Sequence, residues 1–119
     1  MREIKFRAWD KKFKDLVKNP YLHEHMKYAH IDEMFTKHTR YIWMQYTGLK
    51  DRNDREIFES DILINGDIKI KYVVEWLDCG LGARQILNKS TIGLTFWQNT
   101  LEIIGNIYES PELLTEKKD

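Results

Sequence analysis

The residue types able to do chemistry fall into a few clusters. All four histidines, His23, His25, His30 and His38, lie within residues 21–40. If that segment is extended, His23 and His25 share a face, a geometry able to clamp a transition metal and, with it, to build a metal-dependent hydrolase. Chelation also needs a third ligand and a second shell, and the spacing of His30 and His38 follows no known site. Histidines exposed in a loop are the simpler reading, so neither metal nor cofactor is expected. Among carboxylates, Glu56, Glu59 and Asp61 sit close in sequence. General acid–base work needs two of them converging in a pocket, and their spacing demands no such pair. Asp61 is expected instead to tie down the preceding turn through backbone N–H groups. The run Asp78-Cys79-Gly80-Leu81-Gly82-Ala83-Arg84 holds a Gly-x-Gly. It lacks the third glycine of a nucleotide-binding fingerprint and no amphipathic helix follows, so it reads as a glycine-rich hairpin loop.

The opening of the chain is its most basic part: Arg2, Lys5, Arg7, Lys11, Lys12, Lys14 and Lys18 face only Glu3, Asp10 and Asp15. A basic strand carrying Trp9 among its charges can track a phosphate backbone and stack a base. The candidate nucleic-acid set is Arg2, Lys5, Arg7, Lys69 and Lys71, with Trp9 or Tyr46 as stacking platforms. The plainer reading is a solvated edge strand whose lysines discourage edge-to-edge pairing.

These residues must be held by strands. Ile4, Phe6 and Ala8 alternate with Lys5, Arg7 and Trp9, the period of a half-buried strand, and Asp10-Lys11-Lys12 turns it back into residues 13–17 as a hairpin. Asn19-Pro20 breaks that return. Ile31, Met34 and Phe35 recur at helical spacing, with Asp32 and Glu33 near the start and Lys37 and His38 near the end, which predicts one short helix. Residues 41–46 are β-prone with apolar groups on both sides, as in a central strand, and Gly48 is expected to stop them. Asp51 and Asn53-Asp54 form a turn, and Ser60-Asp61 a second bend before Ile62-Leu63-Ile64. Asn65-Gly66-Asp67 predicts a tight hairpin into a strand with Ile68, Ile70, Tyr72, Val74 and Trp76 on one face. Two short strands are expected at residues 85–87 and 94–97. Residues 101–108 are apolar on both faces, implying a central or closed position, with a bulge or a close backbone approach at Gly105. Ser110-Pro111-Glu112 has the form of a helix start that Leu113-Leu114 would dock.

The central run Gln45-Tyr46-Thr47-Gly48-Leu49-Lys50-Asp51, followed by Glu56-Ile57, Glu59 and Asp61-Ile62, closely resembles the hallmark segment of the YopX family of bacteriophage and prophage proteins. Further likeness comes from Ile4-Lys5-Phe6-Arg7-Ala8-Trp9-Asp10 and from residues 101–114. Two departures stand out: Asn53-Asp54 where the family pattern has Asn-Gly, and Ser60 where it has Gly before the Asp. Both fall where permissive backbone is wanted, so the turns are expected to change while strand order survives. The resemblance covers essentially the whole chain and implies a β-barrel-like body with an N-terminal β element packed on it. It assigns no activity. It marks Gln45, Tyr46, Thr47, Gly48, Asp51, Asp61 and Gly105 as structural motif residues.

At 119 residues and 14.4 kDa the chain is read as a single domain, 1–119. An N-terminal hairpin and irregular or helical segment (1–43) precede a barrel core (44–110) and a C-terminal turn and tail (111–119). The expected class is all-β or β-dominated, a small SH3-like or partly open β-barrel with one or two short helices. Cys79 is the single cysteine, so no intrachain disulfide forms and a reducing compartment is implied. The opening residues lack an uninterrupted apolar signal region, and no spanning segment is read, which gives a soluble, cytoplasmic protein of the bacterial host. With 19 basic and 19 acidic residues there is no global attraction to nucleic acid or anionic membrane. The leading functional reading is a non-enzymatic phage or prophage accessory protein that works through protein contacts, either by self-association or on a phage or host protein, with no small-molecule substrate. A nucleic-acid-binding β-barrel is the alternative, and a metal-dependent or carboxylate hydrolase the third.

Overall fold

The predicted opening hairpin is present. Strand β1 (Phe6–Asp10) pairs antiparallel with β2 (Asp15–Val17), Trp9 opposite Leu16. Asp10 sets the turn, its carboxylate accepting hydrogen bonds from the N–H groups of Lys12 and Phe13. The other edge of β1 pairs with β3 (Tyr41–Lys50), and β3 pairs in turn with β4 (Glu56–Phe58), giving a four-stranded sheet in the order β2-β1-β3-β4. A second sheet runs β8-β7-β6-β5-β9, built from β5 (Asp61–Ile64), β6 (Lys71–Leu77), β7 (Gly80–Gln85), β8 (Thr91–Ile92) and β9 (Glu102–Asn106). A short 3-10 helix, Pro111–Leu114, follows at the predicted Ser-Pro start. This computed structural model describes residues 5–17, 41–77, 80–87, 89–94 and 99–114, and the predicted helix at residues 31–38 lies outside them. The fold is strand-dominated and curled, as expected.

Several local expectations give way to longer-range contacts. Gly48 does not end β3. It sits at φ +87° inside a strand that bulges between the pairings Tyr46 with Phe58 and Lys50 with Glu56. The Thr47 hydroxyl fills that bulge, donating to the Ile57 carbonyl at 2.7 Å and accepting from the Leu49 N–H at 3.2 Å. Strand β6 begins at Lys71, so Ile68 and Ile70 are not part of it and are exposed. The competitor is a turn, in which the Asp67 carboxylate accepts the Lys69 N–H and the Asp67 carbonyl accepts the Ile70 N–H. The glycine-rich stretch from Gly80 is strand, paired with β6 up to Leu77 opposite Gly80. A Cβ on Gly82 would overlap Leu77 Cδ1 and lie 3.1 Å from the Ile92 carbonyl oxygen, so the missing side chain lets β7 and β8 close up.

The strand predicted at 85–87 ends at Gln85, and the short partner strand falls at Thr91 and Ile92, between the two predicted strands. Leu94 is buried without being in a strand, and residues 95–97 lie outside the described residues. Strand β9 is terminal in its sheet, not central. It is nevertheless sealed along its outer side by the β3–β4 turn: the Arg52 N–H donates to the Leu101 carbonyl and the Ile103 N–H to the Asp51 carboxylate, each at 2.9 Å. The expected irregularity also appears, with Leu63 opposite Ile103 but Ile62 opposite Gly105, leaving Ile104 as the extra residue of a bulge.

The main core joins both sheets: Ile57 of β4 packs with Leu63, Val74, Ala83, Leu94 and Leu101, flanked by Leu49, Tyr72, Ile92 and Ile103. The two departures from the family pattern have a measurable consequence. Asp54 and Ser60 hold φ values of +64° and +72°, so the left-handed backbone is retained without glycine. Such a conformation costs an L-residue about 1–2 kcal/mol, less for Asp, whose side chain tolerates it. Ser60→Gly is therefore expected to raise stability by roughly 1 kcal/mol, and Asp54→Gly by less, in a urea unfolding series. An unchanged or lower midpoint for Ser60→Gly would refute the strain at that bend.

Candidate functional site

The alternation of β1 places Arg7 and Trp9 on one face, and that face meets the second sheet. Arg7 is only 7% exposed, although the sequence pattern put it among solvated cations. Its guanidinium donates to Asp61 Oδ1 at 2.7 Å and to the Glu59 carbonyl at 3.2 Å, and lies 4.7 Å from the centre of the Phe58 ring. Asp61, 1% exposed, accepts the Phe58 N–H on its other oxygen at 2.8 Å, the predicted anchoring of the preceding bend. Burial pushes the Asp61 carboxyl up from its ordinary 3.8, against the opposing pull of the Arg7 charge and of the hydrogen bonds from Phe58 and Arg7. Neither Glu56 nor Glu59 converges on it as a second acid. Glu56 takes Lys5 as its partner at 2.5 Å, and the Glu59 carboxylate accepts the Gln45 N–H while the Glu59 N–H donates back to the Gln45 carbonyl.

The motif residues thus act on the backbone. Gln45 closes the β3–β4 end with Glu59, Tyr46 packs on Phe58 with ring centres 5.4 Å apart, and Thr47 and Gly48 form the bulge. Asp51, with no exposed side-chain surface, accepts the N–H groups of Asn53, Arg55 and Ile103, each at 2.9 Å.

Further along the same face of β1, Trp9 stacks on Tyr108, ring centres 5.7 Å apart and planes 19° from parallel. Beside this pair opens a depression of about 710 Å³ lined by Trp9, Lys11, Lys14, Tyr108, Glu109, Pro111 and Glu112. Each wall hangs from a buried polar residue. Asp10 organises the β1–β2 turn that carries Lys11 and Lys14. Asn106, 4% exposed, accepts the N–H groups of Tyr108 and Glu109 on its side-chain oxygen and donates from Nδ2 to the Glu109 carboxylate. Sequence reading missed Asn106, whose signal is an Asx turn two residues ahead of Tyr108. It also missed the pairing of Trp9 with Tyr108, which nothing local announces.

The nucleic-acid set is scattered by the fold. Arg7 and Tyr46 are buried, and Lys5 is paired with Glu56 and lies 5.4 Å from the centre of the Tyr46 ring. Lys69 and Lys71 belong to the β5–β6 turn and the start of β6, outside the groove, while Trp9 lines it. Arg2, Cys79 and the histidines, His23 and His25 included, lie outside the described residues. Among the described residues no cluster of three or more potential metal-binding side chains occurs, and no helix is long and apolar enough to cross a membrane.

No curated protein matches the chain. The fold is similar to that of protein EF1440 from Enterococcus faecalis, known from a crystal structure, at 26% sequence identity and a TM-score of 0.69, over 97% of this chain and 100% of that one. A family model described as YopX protein matches residues 5–115. That match takes in the bulge, the buried aspartates Asp10, Asp51 and Asp61 and both walls of the groove, and the chain belongs to the YopX family.

Proposed function

We propose that the protein is a non-enzymatic phage or prophage accessory factor that works through protein contacts, engaging a phage or host protein or a second copy of itself at the Trp9–Tyr108 groove. One observation carries this reading: the polar groups of the family motif are turned inward, holding turns and joining sheets, while three of the four charges lining the groove have no partner among the described residues. Among the described residues, Lys11, Lys14 and Glu112 form no ion pair or side-chain hydrogen bond. A shallow, aromatic-floored site rimmed by charge has the make-up of a protein-contact surface, where Trp and Tyr supply rigid apolar area and the polar rim supplies register.

The test is affinity capture from phage-infected host cells, with the wild-type chain beside the charge-reversed groove variant Lys11→Glu/Lys14→Glu and the variant Lys69→Glu, placed outside the groove. A protein retained by the wild type and by Lys69→Glu but lost from the groove variant supports the reading. Light scattering on the same samples reads self-association. An inert monomer, or capture indifferent to the groove charges, would refute it.

A further inference from the structure

We propose that the groove takes an extended, proline-containing segment of a partner protein, with a carboxylate facing Lys11 and Lys14 and a lysine or arginine facing Glu109 and Glu112. The inference rests on the protein-contact reading and names the chemistry of the partner. Its basis is the opposition of the two walls. One, from the β1–β2 turn, carries only cations, and the other, from the end of β9 and the 3-10 helix, carries only carboxylates. A uniformly anionic ligand such as a nucleic-acid strand or a lipid surface gains at Lys11 and Lys14 and is repelled by Glu109 and Glu112. A chain that changes sign across its width is complementary to both walls.

The floor selects the middle of that segment. Trp9 and Tyr108 stack on each other near-parallel and line the depression together with Pro111, a rigid apolar patch of fixed orientation. Aromatic grooves of this kind favour proline, whose preformed extended helix has little conformational freedom to lose on docking. The depression is open to solvent, so an extended chain can reach it. Its walls are also fixed before any ligand arrives, through Asp10 on one side and Asn106 on the other.

The experiment titrates the full chain, labelled with nitrogen-15, with four synthetic peptides and reads the Trp9 indole N–H signal. The sequences are Asp-Pro-Pro-Pro-Arg, Asp-Pro-Pro-Pro-Asp, Arg-Pro-Pro-Pro-Arg and Asp-Ala-Ala-Ala-Arg. The mixed-charge proline peptide is expected to shift Trp9 and to bind about fivefold or more tightly than each of the others, the gain expected of two exposed ion pairs and a rigid core. In Lys11→Glu/Lys14→Glu the preference is expected to move to Arg-Pro-Pro-Pro-Arg, a gain that misfolding cannot mimic. Equal binding of the alanine or like-charged peptides, no movement of Trp9, or movement only with a single-stranded oligonucleotide would overturn the proposal. If every peptide fails while groove-dependent capture from cells persists, the segment chemistry is wrong and the protein-contact reading stands. Capture that ignores the groove charges removes the reading itself.

Discussion

Asp61→Ala is expected to lower the unfolding free energy by about 3–5 kcal/mol, because it leaves the buried Arg7 guanidinium and the Phe58 N–H without their acceptor. The substitution strips the acceptor at 2.7 Å from Arg7 and the acceptor at 2.8 Å from the Phe58 N–H. Arg7 Nε already lacks a hydrogen-bond partner among the described residues, so the site has little reserve. The double variant Arg7→Met/Asp61→Asn is expected to recover most of the loss. It removes both charges, retains an oxygen for the Phe58 N–H, and keeps an apolar stem against the Phe58 ring. Guanidinium unfolding curves of wild type, single and double variants decide the matter. A double variant as unstable as Asp61→Ala would show that the ion pair is not the source of the loss.

The same carboxyl gives the pair a signed pH dependence. Burial holds its folded-state pKa above the ordinary 3.8, so between these values the native state binds more protons than the unfolded one. The contribution of this group is therefore full below the unfolded value and is lost as pH rises through the folded one. The stability gap between wild type and Asp61→Ala should be widest in acid and narrow as the pH is raised above 3.8, the other carboxylates cancelling in the difference. A gap that widens with pH would mean that the Arg7 attraction outweighs desolvation.

What the sequence disclosed and what it hid divide along chain separation. The turns at Asp10 and Asp51 were readable because an Asx side chain bonds N–H groups two to four residues on, and such geometry is written in neighbouring letters. The strands β1, β3 and β5 were readable from periodicity. Periodicity does not say which face a second sheet will cover, and Arg7, alternating correctly, was therefore assigned to solvent. Its bond to Asp61 spans 54 positions and the bond from Ile103 to Asp51 spans 52, too far for any local pattern to report. The groove suffers from the same blindness, since Trp9 and Tyr108 come from opposite ends of the chain. Ile68 and Ile70 mark the converse error: a clean strand alternation lost to a turn because the Asp67 side chain and carbonyl capture the backbone first.

The distant bond at Asp51 leads to the second large effect. Asp51→Ala is expected to cost about 2–4 kcal/mol, since three backbone N–H groups lose one buried acceptor and only those of the turn regain water easily. Asp51→Asn should cost about half as much. Its oxygen can serve the turn N–H groups of Asn53 and Arg55, while its NH₂ then opposes the Ile103 N–H, a donor facing a donor. The exposed pair of Lys50 and Asp54 at 3.8 Å supplies the control, and Lys50→Ala should cost less than about 1 kcal/mol. Hydrogen exchange adds a readout that stability alone lacks. In Asp51→Asn the Ile103 amide should exchange faster while amides of the β6–β7 pair keep their protection, because the lost bond is one of those sealing the open side of β9. With that side unsealed, a strand edge is presented to other molecules, and the variant should also associate more readily at high concentration. Uniform loss of protection across both sheets would instead make Asp51 a part of the global core, and the lateral seal of β9 would not be its distinct role.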